Sequence, residues 1–213
     1  MDDPHTTTRR RLLAGAAGAS LTGLAGCTGG TTSGSAVESL PRPVRGDPDA
    51  GVTVAVFADF ACPHCRTFAT DVLPDLESAY LDDGVVRYEH WDFPIPVADR
   101  WSWRAAGAAR AVQDTVGTDA FFAFVDSLFS AGWSNGRAQY TDGLLRQFAE
   151  QAGGDPDEVL RAADEERYRP VVERDRETGI ERGAEGTPAV FVDGTLLDGY
   201  DYDTVAAAVE RAR

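Results

Sequence analysis

Two cysteines, Cys62 and Cys65, lie two residues apart in FADFACPHCRTF, residues 57–68, and the chain has one other, Cys27. A Cys-x-x-Cys pair has three readings: half of a zinc site, an inert buried pair, or a thiol–disulfide exchange site. Structural zinc takes four ligands. The sequence has no second cysteine pair, and its histidines, His5, His64 and His90, are too few and badly spaced to complete a set. A disulfide between residues this close staples little, because the stabilisation rises with the length of the closed loop. A chemical role is therefore favoured. Exchange needs a thiolate, and free cysteine ionises only near pH ~8.5. At the start of a helix, Cys62 would face unpaired N–H groups and the positive end of the helix dipole. His64, between the cysteines, can add a proton or a positive charge. Both favour the anion, and a stabilised thiolate makes the disulfide a stronger oxidant. Cys65, one turn further in, is expected to be shielded and to resolve mixed disulfides.

The flanking segments supply that helix start. VTVAVFADF, residues 52–60, is apolar without strict alternation, as a strand buried on both faces is. Pro63 falls at the first helical position, where its missing N–H costs nothing. Phe68, Val72, Leu73, Leu76 and Tyr80 follow at helical spacing, with Pro74 inside the run to kink it. VVRYEHWDF, residues 85–93, is a second strand, and strand–helix–strand implies a right-handed crossover with parallel pairing. Residues 98–182 read as helices. The Phe-rich stretch DAFFAFVDSLFSAG belongs to their core, Thr141 caps one helix, and an Asp155-Pro156 start opens another. AVFVDGTLLDG is a hairpin turning at Asp193-Gly194, and a last helix starts at Asp201 or Asp203.

The N-terminus reads as an address. Arg9 and Arg10 open a short, weakly apolar, Gly- and Ala-rich stretch that ends in Leu-Ala-Gly-Cys27. A membrane-spanning helix needs roughly 20 apolar residues. The arginines resemble a twin-arginine export signal, and the Cys27 context resembles a lipoprotein cleavage and lipidation site. The expectation is a signal peptide over residues 1–26, lipid on Cys27, and a flexible tether over residues 27–50. An uncleaved anchor or an incidental cysteine is the alternative. Export would place the chain where disulfides persist.

Composition sets the surroundings. The 213 residues are 43% hydrophobic, enough for one domain with an insertion, and carry a net charge of −15 with arginine as the only basic residue besides histidine. Such a surface suits high salt, which screens self-repulsion, although an acidic protein from a GC-rich genome would look the same. It argues against nucleic acid as a partner.

CPHC after an apolar strand, followed far downstream by GTPAVFVDG, resembles the thioredoxin superfamily and within it the DsbA-like branch. The resemblance covers about residues 50–213. It implies an α/β, thioredoxin-like fold, a central mixed sheet flanked by helices, over residues 51–213. An inserted all-helical subdomain would occupy about 98–182, since a minimal thioredoxin has a far shorter gap between the two motifs. It implies catalytic Cys62, Pro63, His64 and Cys65, and a cis bond before Pro188 that sets the Thr187 backbone against the cysteine pair and offers it to a substrate strand. Many relatives carry a buried carboxylate six residues before the first cysteine, where this chain has Val56. Asp59 is the nearest acid. No proton-relay role is carried over to it, and a partly exposed place at the strand end suits it as well. His90 reads as a strand-end residue.

The first functional expectation is an extracytoplasmic thiol:disulfide oxidase acting on exported cysteine-containing proteins. It would need no metal or cofactor beyond the Cys62–Cys65 disulfide. It would be reoxidised by a quinone-linked membrane partner, held to the outer face of the membrane by lipid on Cys27, and monomeric. A reductase or isomerase on the same fold is the rival, and Thr187 does not decide between them. A soft-metal chaperone is the third reading, disfavoured because Met1 is the only methionine.

Overall fold

The computed structural model describes residues 35–96 and 98–213. Its centre is β2 (Val52–Ala58), in which Val56 and Phe57 are fully buried. β2 pairs in parallel with β3 (Val86–Asp92), Val52 opposite Val86 and Ala58 opposite Asp92. On its other side it pairs antiparallel with β6 (Ala189–Val192). Short strands close both edges, β1 (Val44–Arg45) beside β3 and β7 (Thr195–Leu196) beside β6, giving the order β1-β3-β2-β6-β7. Asp193 and Gly194 turn the β6–β7 hairpin with φ of 45° and 80°, as their sequence foretells.

The crossover from β2 to β3 is helical throughout but not a single α-helix. α1 (Pro63–Thr67) passes into a π turn at Phe68–Val72, then α2 (Leu73–Leu76), then a second π turn at Glu77–Leu81. Pro74 explains the first π turn. It has no N–H to offer Thr70, and its ring crowds that carbonyl, so the preceding turn widens and Leu73 N–H bonds Phe68 C=O instead.

The insertion carries α3 (Asp99–Thr115), α4 (Thr118–Ala131), α5 (Asp142–Gln151), α6 (Pro156–Asp164) and α7 (Arg169–Glu181). Thr141 caps α5 through Leu144 N–H at 3.2 Å, and the Asp155 carboxylate caps α6. α4 buries Phe121, Phe122, Phe124, Val125, Leu128 and Phe129 in the main core. Between α4 and α5 lies a small hairpin, β4 (Trp133–Ser134) and β5 (Arg137–Ala138), which the helical reading does not foresee. Its Asn135-Gly136 turn, with φ of 51° and 71°, is the sequence signal for it. α8 (Tyr202–Ala212) ends the chain, capped by Asp201 rather than Asp203.

The opposite face of the sheet holds Ala55, Phe57, Phe93, Ala189 and Phe191 beneath α7. Gly179 lets that helix in. A β-carbon there would stand 2.7 Å from the Phe93 ring and 2.8 Å from Phe57.

Residues 35–50, expected as loose tether, are tied to the fold. Val37 N–H bonds Arg167 C=O at 2.8 Å, His90 N–H bonds Pro43 C=O at 3.1 Å, and β1 joins the sheet. Two-residue strands leave no periodicity to read.

A buried ionic cluster anchors this lead-in. Arg110, with no exposed surface, donates to Asp92 at 2.6 Å, Asp175 at 2.7 Å and Gln113 at 2.8 Å. Arg42 reaches both oxygens of Asp175 at 2.6 Å and lies 3.3 Å over the Trp91 ring. The cluster joins the lead-in, β3, α3 and α7. Burial disfavours the Asp92 anion, but Arg110 and His90 more than offset this and hold its carboxyl below the usual range. Arg110→Met would leave Asp92 and half of Asp175 without a counter-charge. The expected loss is about 3–5 kcal/mol of unfolding free energy, read from the denaturant midpoint.

Candidate active site

β2 delivers the chain to a turn that sets Cys62 at the start of α1. The Asp59 carboxylate accepts from Ala61 N–H at 2.6 Å, and Asp59 C=O accepts from Cys62 N–H at 3.1 Å. Cys62 is thereby held in extended backbone as the N-cap residue, and Pro63 takes the first helical position. The N–H groups of His64 and Cys65 face the Cys62 sulfur without closing an ordinary capping hydrogen bond.

Both cysteines are free thiols, 3% and 1% exposed. They are unlike in character. The Cys62 thiol is lowered to about 5, first by the Cys65 S–H that donates to its anion; burial opposes this, and the Thr187 hydroxyl and the two helix amides add to it. The helix amides act in the expected direction, and the partner thiol adds to them. Cys65 is pushed well up by burial and by the Cys62 charge. Its sulfur accepts from Asp59 N–H at 3.4 Å.

Thr187 and Pro188 meet this pair across the sheet. The Thr187–Pro188 bond is cis, and the Cys62 thiol donates to Thr187 C=O at 3.4 Å. The Thr187 hydroxyl is buried and closes no hydrogen bond among the described residues. Cys62, Pro63, His64, Cys65, Thr187 and Pro188 are therefore gathered at one place. Pro63 and His64 are exposed, and the His64 imidazole is turned to Tyr200, with Nδ1 2.7 Å from the phenol oxygen. Arg9, Arg10 and Cys27 lie outside the described residues.

A model of the family described as Thioredoxin matches residues 38–211. The chain belongs to the thioredoxin family. Among its relatives is Disulfide bond formation protein D of Bacillus subtilis, 28% identical over 172 residues that span 80% of this chain and 76% of that protein. The crystal structure of oxidised BdbD from Bacillus subtilis superposes with a TM-score of 0.74 at 27% identity, covering 84% of this chain and 98% of that one. A thioredoxin-like oxidoreductase from Silicibacter pomeroyi gives 0.65 at 29% identity, over 81% and 92%. Chlamydia trachomatis DsbA, 18% identical over 84% and 95% with a TM-score of 0.70, shares the fold. This thioredoxin-family member is a DsbA-like protein thiol:disulfide oxidoreductase.

In this thioredoxin-family site, several supporting residues were not legible in sequence. Asp59, read as partly exposed, is 1% exposed. The loop after β3 folds over it, and Ile95 N–H donates to its carboxylate at 2.7 Å. Burial pushes the Asp59 carboxyl up to about 6 against those two amides. His90, read as a strand-end residue, is fully buried and stacks on Phe60 at 5.3 Å, so the ionic cluster abuts the active-site turn. Tyr140 donates to Phe60 C=O at 2.6 Å, and Arg66 donates to Phe129 C=O at 3.1 Å. Both tie the CPHC segment to the insertion. No local pattern marks such long-range contacts.

A thiol lowered in the folded state contributes stability that is complete above the unfolded value, near ~8.5, and is lost as pH falls through about 5. The reduced protein should therefore gain thermal stability relative to the disulfide form between pH ~5 and ~8.5, and lose that gain near pH ~4. Melting both forms across this range checks the sign. Alkylation of the reduced protein should titrate with a midpoint of about 5. Cys65→Ala, which removes the S–H donor, should raise that midpoint by more than Cys65→Ser, which keeps one.

Proposed function

We propose that this chain is a dithiol oxidase that introduces disulfides into exported proteins. The observation that supports it is the split between the two sulfurs. Cys62 is held toward the anion and Cys65 toward the neutral thiol, so the reduced pair is the favoured form and the disulfide is a strong oxidant. A substrate thiolate attacks Cys62 Sγ of the Cys62–Cys65 disulfide. The S–S bond breaks, a mixed disulfide forms at Cys62, and Cys65 leaves and takes up a proton. A second substrate thiolate then attacks the substrate sulfur and expels Cys62 as a stable thiolate. Two electrons pass from the substrate to the enzyme. A quinone-linked membrane protein accepts them and restores the disulfide.

Thr187 and Pro188 present backbone to the substrate strand beside Cys62. The Cys62–Cys65 pair is itself the redox group, and no metal or organic cofactor is required. The sequence before residue 35 supports twin-arginine export through Arg9 and Arg10 and lipid attachment at Cys27, which would confine the enzyme to the outer face of the membrane. No helix among the described residues is long and apolar enough to cross a membrane. A monomer is proposed, since Val116, Ile180 and Leu196 are the exposed large apolar side chains among the described residues and lie apart in the chain. The charge of −15 supports work in concentrated salt.

Equilibration against glutathione tests the direction of electron flow. An oxidase should lie far toward the oxidising end of the range that thioredoxin-like proteins span, near −120 mV rather than about −270 mV. Trapping by alkylation in cells should find the pair mostly as disulfide. A pair held mostly as dithiol, with a potential near the reducing end, would establish a reductase instead. Cys27→Ser should release the protein from the membrane fraction. The unfolding midpoint should rise with potassium chloride concentration as the acidic surface is screened.

A further inference from the structure

One side-chain hydrogen bond links the active-site helix to the segment before α8. His64 Nδ1 lies 2.7 Å from Tyr200 Oη, and the rings meet edge to face at 5.9 Å. We propose that Tyr200 is a positioning residue for thiol–disulfide exchange, holding the His64 imidazole in place and making the Cys62–Cys65 disulfide a stronger oxidant. The inference rests on Cys62 being the exchanging sulfur.

His64 is exposed and has no other side-chain hydrogen bond among the described residues, so without Tyr200 its ring would sample several rotamers. Tyr200 is itself firmly placed. It is half-buried and packs against the main core. Its neighbours form a bracket. Gly199 has φ of 137°, a conformation that favours glycine, and Asp201 caps α8 through Thr204 N–H at 3.0 Å and the Thr204 hydroxyl at 2.7 Å. The position of the phenol is therefore set by the fold.

A phenol both donates and accepts. With neutral imidazole the Tyr200 O–H donates to Nδ1. With imidazolium the Nδ1–H donates to the phenol oxygen. The contact survives protonation, and its charged form is the stronger. Tyr200 thus holds the ring two positions from Cys62 in either charge state, and a donor or positive charge held there favours the thiolate. The other groups nearby leave this role to Tyr200. Cys62 and Cys65 lie within electrostatic reach of the phenol. Asp201 has its carboxylate engaged by Thr204, and Arg66 on α1 is turned to Phe129 C=O.

The test compares the full chain with Tyr200→Phe, His64→Ala and the double variant. Tyr200→Phe keeps the ring and the packing and removes only the hydroxyl. Two quantities are read: the equilibrium constant with glutathione, and the midpoint of thiolate formation at Cys62. Tyr200→Phe should make the disulfide about three- to tenfold less oxidising and raise the Cys62 midpoint. In the His64→Ala background the same change should have almost no effect, because the hydroxyl acts through the imidazole. An unchanged equilibrium constant and midpoint in Tyr200→Phe would overturn the proposal. So would an equal shift with and without His64, which would mean that Tyr200 acts on the sulfur directly or through packing. A reducing potential for the wild-type chain would remove the oxidase reading, yet the difference between variants would still decide the role of Tyr200.

Discussion

The chemistry of this protein depends on the pairing of two buried sulfurs of unlike character. Cys65 sits one turn inside the helix, where burial holds its proton on. That proton is then offered to Cys62 at the helix start, whose anion it stabilises more than any other neighbour does. The asymmetry comes from position alone, since the residues are chemically the same. One lies at the open end of a helix and the other under its first turn. When the pair is oxidised this stabilisation disappears, because neither a thiolate nor an S–H remains. The fold therefore favours the reduced form, and this preference is what gives the disulfide its oxidising strength.

Such a contact works only if the turn around it is fixed. Asp59 performs that task with every polar group it has. Its carboxylate holds the amides of Ala61 and Ile95, its carbonyl holds Cys62 N–H, and its own N–H reaches Cys65 Sγ. Burial raises its carboxyl, so the brace carries an electrostatic cost that the amides offset only in part. Tyr140 holds the same turn from the insertion, and His90 stacks beneath it from β3. The insertion is thus a structural support for the CPHC segment as well as an added subdomain.

Charge is divided sharply between surface and interior. The chain is strongly acidic as a whole, yet its buried electrostatics rest on arginine. Arg110 is enclosed between Asp92 and Asp175, and Arg42 completes the cluster while stacking on Trp91. A guanidinium suits these places because its planar fork meets two carboxylates at once and its face accepts an aromatic ring. An ammonium would satisfy fewer of these contacts in the same space.

The sequence by itself determined the motif, the central strand, the helix start at Cys62 and Pro63, the caps at Thr141 and Asp155, and the hairpin at Asp193-Gly194. Each is a local matter, set by spacing, by a single residue's backbone preference or by a short side-chain reach. The order of CPHC and GTPAVFVDG also carried the fold, because that arrangement is specific. Tertiary structure alone decided that Asp59 and His90 are buried, that Val44 and Arg45 join the sheet, and that Tyr140 and Tyr200 close on the active site. These depend on which distant segment covers a residue, and no pattern along the chain records that. The surroundings of Cys62 were decided there too. A helix start can be read from Pro63, but the closing of Thr187 C=O on the Cys62 sulfur and the burial of Cys65 depend on tertiary packing.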